Sequence, residues 1–303
     1  MLKANLRRSF GSLAVVAAAA LLGSACEITV DAGPYSAHED KRFQVSGTPD
    51  LSLTTFDGSV EVRSWDRPEV LVEVEKRASD KTLAEAIKVS VEQSGNTIAI
   101  DVRRPDGVQS AFGLRISPSA RIVASVPQRC NLAVRSGDGS IRIERVEGRI
   151  DLNSRDGSLR GIDLSGTILA RTGDGSMRFD NVSGPIDLES GDGGVRLSGR
   201  LQAVKVKTGD GSVEVRAGDG SAMTDDWEIR TGDGGLRLEL PESFGASLDA
   251  STGDGSVRVL GFGGPTTSGR DRADRGDLKR QLGAGGKLLR LRSNSGSITV
   301  KTL

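Results

Sequence analysis

The sequence predicts an all-β protein: a right-handed parallel β-solenoid (β-helix) with coils of about eighteen residues, preceded by a smaller β-rich segment with one short helix. Three observations predict it. The phrase RSGDGSIRIE at 135–144 returns as RTGDGSMRFD at 171–180, KTGDGSVEVR at 207–216 and STGDGSVRVL at 251–260, and Asp138, Asp156, Asp174, Asp192 and Asp210 fall at a constant interval of eighteen residues. Apolar residues alternate twice in each copy, as at Ile141 and Ile143 and then Ile150 and Leu152, which makes two short strands with a turn after each. A hydroxyl stands two residues before the Asp position in every copy: Thr55, Ser136, Ser154, Thr172, Ser190, Thr208, Thr231, Thr252 and Ser293. An ordinary antiparallel sheet does not need like residues at a fixed period. A stack of coils does, because each residue then lies on its equivalent about 4.8 Å away. Right-handed winding follows the general crossover rule.

Along the chain, residues 1–25 read as an export signal: Lys3, Arg7 and Arg8 precede an apolar run from Leu13 to Leu22, and small residues precede Cys26. The run is short for a membrane span. Leu22-Gly23-Ser24-Ala25-Cys26 has the layout of a lipoprotein box, in which the Cys26 thiol takes a lipid; cleavage after Ala25 to a soluble protein, with Cys26 free to pair with Cys130, is the alternative. Residues 26–47 are polar, broken by Gly and Pro, and read as a flexible tether. Residues 48–128 form the β-rich start. Leu51–Thr55 and Val60–Val62 flank a first Asp57-Gly58-Ser59 turn, and Ser79-Asp80-Lys81-Thr82 opens a short helix. Repeats fill 129–303, with Asp233 and Asp254 following short insertions, and 260–286 reads as a loop insertion rich in Gly and alternating charge.

Composition narrows the function. The chain has 303 residues, 40 of them Gly, and equal numbers of bases and acids; without Lys3, Arg7 and Arg8 it carries 38 bases against 41 acids. Such a balance offers no general attraction for nucleic acid. Two cysteines build neither a disulfide framework nor a closed zinc site, and Cys130 reads as a packed thiol. The lone His38 excludes a Ser-His-Asp or Cys-His arrangement in the body, and every acid belongs to a row, so no singular catalytic cluster stands out. No cofactor is expected.

The Asp row (Asp57, Asp138, Asp156, Asp174, Asp192, Asp210, Asp233 and Asp254) is read as structural, since Asp before Gly makes an Asx-type turn unaided. One Asp per eighteen residues supplies too few oxygens for Ca²⁺, and no metal site is expected. Bases flank the row: Arg142, Arg160, Arg178, Arg196, Arg237 and Arg258 follow the Asp by four positions, and Arg135, Arg171, Lys207 and Arg230 precede it by three. Of these, Arg142, Arg160, Arg178 and Arg196 share one outward row. It serves either as a binding face for regularly spaced anionic groups or as a counterweight to the Asp row. Trp65 and Trp227 are isolated, and Trp227 has the inward phase of the core.

The lipobox, the strand pair near Trp65, the helix, the SVPQRCNLAVRSGDGSIRI passage at 125–143 and the Gly-Ser repeats, taken in that order, resemble a bacterial family of adhesin-like β-strand-repeat proteins, domain-of-unknown-function family 4097. The resemblance covers about residues 48–303. It implies an exported, envelope-associated protein with a parallel β-helix fold, and no catalytic residue. The expected function is that of a non-catalytic, lipid-anchored envelope protein (outer membrane, periplasm or cell surface) acting as an adhesin or scaffold. Its expected partners are the membrane through Cys26 and an envelope polysaccharide, lipid headgroup or protein. An envelope-stress regulator and a carbohydrate-active enzyme are the alternatives.

Overall fold

Alternation of apolar and polar side chains turns alternate residues to one core, and the chain realises it as strands almost throughout. The computed structural model describes residues 35–105, 117–262 and 276–303, so the signal segment 1–25, Cys26 and the first part of the tether lie outside the described residues. The strands before the repeats are β1 (Tyr35–Gln44), β2 (Asp50–Thr55), β3 (Val60–Trp65), β4 (Glu69–Ala78), β5 (Lys88–Ser94), β6 (Thr97–Arg103) and β7 (Ser119–Pro127), with the helix α1 (Lys81–Ala86) between β4 and β5. The repeats give β8 (Asn131–Ser136), β9 (Ile141–Glu144), β10 (Glu147–Ser154), β11 (Leu159–Ile162), β12 (Ser165–Thr172), β13 (Met177–Ser190), β14 (Val195–Lys207), β15 (Val213–Ala217), β16 (Trp227–Thr231), β17 (Leu236–Leu240), β18 (Ala246–Thr252) and β19 (Val257–Leu260). The chain closes with β20 (Asp277–Leu282), β21 (Leu288–Ser293) and β22 (Ile298–Thr302). Helix α1 starts where expected: the Asp80 side chain accepts the Leu83 N–H at 2.9 Å.

Pairing sorts the strands into two ladders. Ladder A runs β5–β6–β2–β8–β10–β12–β13–β14–β16–β21–β18–β20, and ladder B runs β1–β4–β7–β3–β9–β11–β13–β14–β15–β17–β22–β19. Every pairing is parallel except those of β1 with β4, β4 with β7, β5 with β6, and β18 with β20. Repeat lies on repeat in register, as in Leu132↔Ile150↔Ile168, and β13 and β14 are long enough to serve both ladders. The inward residues of both ladders form one apolar cluster. The protein is therefore all-β and β-solenoid-like. Small and large residues alternate where space demands it: Gly161 leaves the room that the Phe179 ring fills, since a Cβ there would stand 2.5 Å from Phe179 Cδ1.

The sequence does not announce the order of tiers. Strands β2 and β3 come first in the repeat pattern, yet β6 and β7 lie outside them. At the other end β21 and β22, last in the chain, slot between β16–β17 and β18–β19. Both ends of the stack thus depart from chain order.

Three sequence-level expectations change. The tether does not extend to residue 47: Tyr35–Gln44 is the strand β1, ten residues in antiparallel register with β4. Its polar sequence hides this, but Phe43 is buried, Glu39 meets the nearly buried Lys76, and Gln44 Nε2 donates to Glu69 at 3.1 Å. Part of the 260–286 insertion is also regular, because Asp277–Leu282 pairs with β18; residues 263–275 lie outside the described residues. Finally, the ladders cross residue 129 without interruption, and all described residues belong to the unit Pro34–Leu303.

Candidate functional site

At the Gly-Asp-Gly-Ser turns the repeated residues divide into those that hold the stack and those that face out. The hydroxyl does the holding. Ser154 Oγ donates to the Gly139 carbonyl of the coil below at 3.0 Å and accepts the Gly157 N–H of its own turn at 3.0 Å; Ser190 does the same with Gly175 and Gly193, both at 3.1 Å. All nine hydroxyls are buried. The Asp side chains Asp138, Asp156, Asp174, Asp192, Asp210, Asp233 and Asp254 are exposed at the turn tips, and Asp57 is half-buried. The turn N–H groups go to the hydroxyl, so the expected Asx-type turn is a serine/threonine turn. Contact between coils fixes the glycine. Gly175 does not take a positive φ; a Cβ there would stand 2.2 Å from the Gly157 carbonyl oxygen, so the close contact between coils requires it. Positive φ serves the opposite corner, where Arg145, Asp163 and Asn181 stack at φ 55° and Asn181 Nδ2 donates to Asp163 Oδ1 at 2.6 Å.

The arginine row lies on ladder B. Arg142, Arg160, Arg178 and Arg196 are direct cross-strand partners on β9, β11, β13 and β14, and the row ends in Glu61 on one side and Glu214 on the other. Their acids are not the turn aspartates. Arg142 pairs with Glu144, Arg178 with Asp180 at 2.8 Å and Arg196 with Glu214 at 3.3 Å. Arg160 is exposed and has Ile162 where its neighbours have an acid. Among the turn aspartates, Asp138 approaches Arg155 at 3.9 Å. A shallow depression of about 310 Å³ opens beside the row, lined by Arg178, Asp180, Arg196, Ser198, Glu214 and Arg216.

Ladder A carries charge in two ways: in one row Lys207, Arg230 and Arg292 lie opposite one another across β14, β16 and β21, and in the other the signs alternate. Asp187, Lys205, Glu228, Arg290, Asp249 and Lys279 follow one another across β13, β14, β16, β21, β18 and β20, alternating in sign at every step. Like charges directly opposite are destabilising in a sheet, and this row avoids them. The ladder B row places four together.

Several carboxylates elsewhere tie strands to strands. Glu239 accepts from Lys301 at 2.9 Å and Arg237 at 3.2 Å, and these bonds hold its carboxyl below the usual range. Lys207 does the same for Glu189, and Arg292 for Asp249. Cys130 is buried and free, and desolvation pushes its thiol up to about 12, which leaves it unreactive near neutrality. Trp227 is fully buried, its ring 5.2 Å from that of Phe244, and its indole N–H donates to the Gln202 carbonyl at 2.8 Å. Among the described residues no group of three His, Cys, Asp or Glu side chains is placed to hold a metal ion.

The two ladders, the hydroxyl-bonded turns and the single core define an all-β repeat protein whose outward residues form charged rows. The chain belongs to the Toastrack DUF4097 family, whose model matches residues 49–301, as the sequence resemblance led one to expect. Among solved structures it is similar to a candidate adhesin of Bacteroides fragilis (11% identity, 88% of this chain and 97% of that one, TM-score 0.37). It is also similar to a candidate lipid-binding protein of Parabacteroides distasonis (15%, 88% and 96%, 0.37) and a candidate cell adhesion protein of Clostridium sporogenes (13%, 89% and 100%, 0.29). Likenesses this loose carry no functional argument. No curated protein matches the chain.

Proposed function

We propose that this is a non-catalytic cell-envelope protein, wound as a right-handed β-solenoid, that presents ladder B as an adhesin-like or scaffold surface to an anionic partner. One observation carries the reading: four arginines stand directly opposite one another on successive strands, and Arg160 has Ile162 where Arg142 and Arg178 have an acid. A row kept only for solubility would gain from an alternating arrangement. Export and lipid attachment at Cys26 belong to the same reading, supported by the basic start, the apolar run and the small-residue box before Cys26. Labelled lipid is expected to enter the wild type and not Cys26→Ser; an unlabelled wild type contradicts the anchor.

The binding face is tested by changing Arg142, Arg178 and Arg196 together to Glu. Circular dichroism is expected to keep its β signal, because these side chains lie outside the core. Adhesion of cells displaying the protein is expected to fall sharply, and wild-type adhesion to weaken with salt. Unchanged adhesion by the folded triple variant overturns the assignment.

A further inference from the structure

We propose that the arginine ladder is a track for a linear polymer of uronic-acid sugars, laid along the stack with one carboxylate per coil and four coils engaged; this deepens the function proposed above and rests on it. Four features of the row point to that ligand.

The first is period. Arg142, Arg160, Arg178 and Arg196 are successive cross-strand partners, so their anchor points repeat at the strand spacing of about 4.8 Å, roughly the advance of one ring along an extended sugar chain. A guanidinium forks onto a carboxylate with two parallel hydrogen bonds, and each has donors beyond those its neighbouring acid takes.

The second is width. The row is one residue wide. Exposed Asp138, Asp156, Asp174 and Asp192 lie at the turn on one side, and Glu144 and Asp180 stand two residues along on the other. A sheet of lipid headgroups would press its charge onto both acid rows, whereas a thread lies between them. The third is length, since Glu61 and Glu214 close the row at its ends and leave room for about four anionic groups over about 14 Å.

The fourth is what lies beside the arginines. Ser140, Ser158 and Ser176 are exposed two residues before Arg142, Arg160 and Arg178, and the Ser158 and Ser176 hydroxyls are 3.3 Å apart. Three of the four coils therefore offer a hydroxyl and a guanidinium on one side of the strand, Gly194 standing in the serine's place before Arg196, which suits a ring bearing both hydroxyls and a carboxylate. Arg160, next to Ile162 in place of an acid, is the guanidinium with the most to give.

The test is calorimetry on the full chain carrying Cys26→Ser, titrated with oligogalacturonates of one, two, four and eight rings, with neutral dextran, and with phosphatidylglycerol vesicles. Affinity is expected to climb with length up to about four rings and then to level off once corrected for the number of ways of binding. Dextran is expected not to bind. Arg160→Ala is expected to weaken tetramer binding about tenfold or more, and Arg160→Lys, which keeps the charge and loses the fork, to weaken it by less. Circular dichroism confirms that both variants fold. Binding that is independent of length, or unchanged in Arg160→Ala, overturns the proposal. Vesicle binding without oligogalacturonate binding also overturns it while leaving the arginine face standing, and adhesion unaffected by the triple reversal removes both.

Discussion

Ser154→Ala removes a hydroxyl that bonds to two buried backbone groups, the Gly139 carbonyl and the Gly157 N–H, and leaves both without a partner. The expected cost is about 1–3 kcal/mol in chemical denaturation. Gly175→Ala is expected to cost a similar amount, about 1–3 kcal/mol, because the new Cβ meets the Gly157 carbonyl and the coils must part. Asp174→Asn is expected to change stability little, since the exposed carboxylate does not make the turn. If Asp174→Asn proves as costly as Gly175→Ala, the division of the turn into holding and facing residues is wrong. The hydroxyl row was legible in the sequence because alternation alone turns it inward. The reason for the glycine was not, because it depends on the neighbouring coil.

At the scale of strands, the repeat was legible and the order of its tiers was not. Like coils stack equally well in any order, so nothing in the Leu288–Ser293 or Ile298–Thr302 alternation says that these strands enter between β16–β17 and β18–β19. Removing Leu288–Leu303 therefore opens a gap inside the stack. The truncated protein is expected to lose protease resistance across β18–β20, while β8–β15 stay protected; protection of β18–β20 would contradict the insertion. Strand β1 escaped because its charges read as solvated, whereas they pair across to β4. Carboxylates set a pH dependence at this scale. Glu239, Glu189 and Asp249 all have lowered values in the fold, so their contribution is complete above the ordinary carboxylate range and is lost as pH falls through the lowered values. The urea midpoint is expected to be level from pH 7 to about 5 and to drop below about 4. A midpoint that rises on acidification contradicts this.

Over the whole molecule, the two ladders share one core, and like charges meet on both: Lys207, Arg230 and Arg292 on ladder A and four arginines on ladder B. Alternation of sign along Asp187, Lys205, Glu228, Arg290, Asp249 and Lys279 is what a sheet needs for its own stability, and the arginine ladder departs from it. The sequence placed the four arginines in one row. It did not reveal that their acids are Glu144 and Asp180, two residues along the same strands, and Glu214, which cross-strand register sets opposite Arg196. The most direct measurement compares two reversals of equal size in the Cys26→Ser protein: Arg142, Arg160, Arg178 and Arg196 to Glu on ladder B, and Lys205, Lys207, Arg230 and Arg290 to Glu on ladder A. Binding of each folded variant to isolated cell envelopes is followed as salt is raised. The ladder B variant is predicted to lose the salt-sensitive binding that the ladder A variant keeps, and equal losses in the two would contradict a dedicated arginine face.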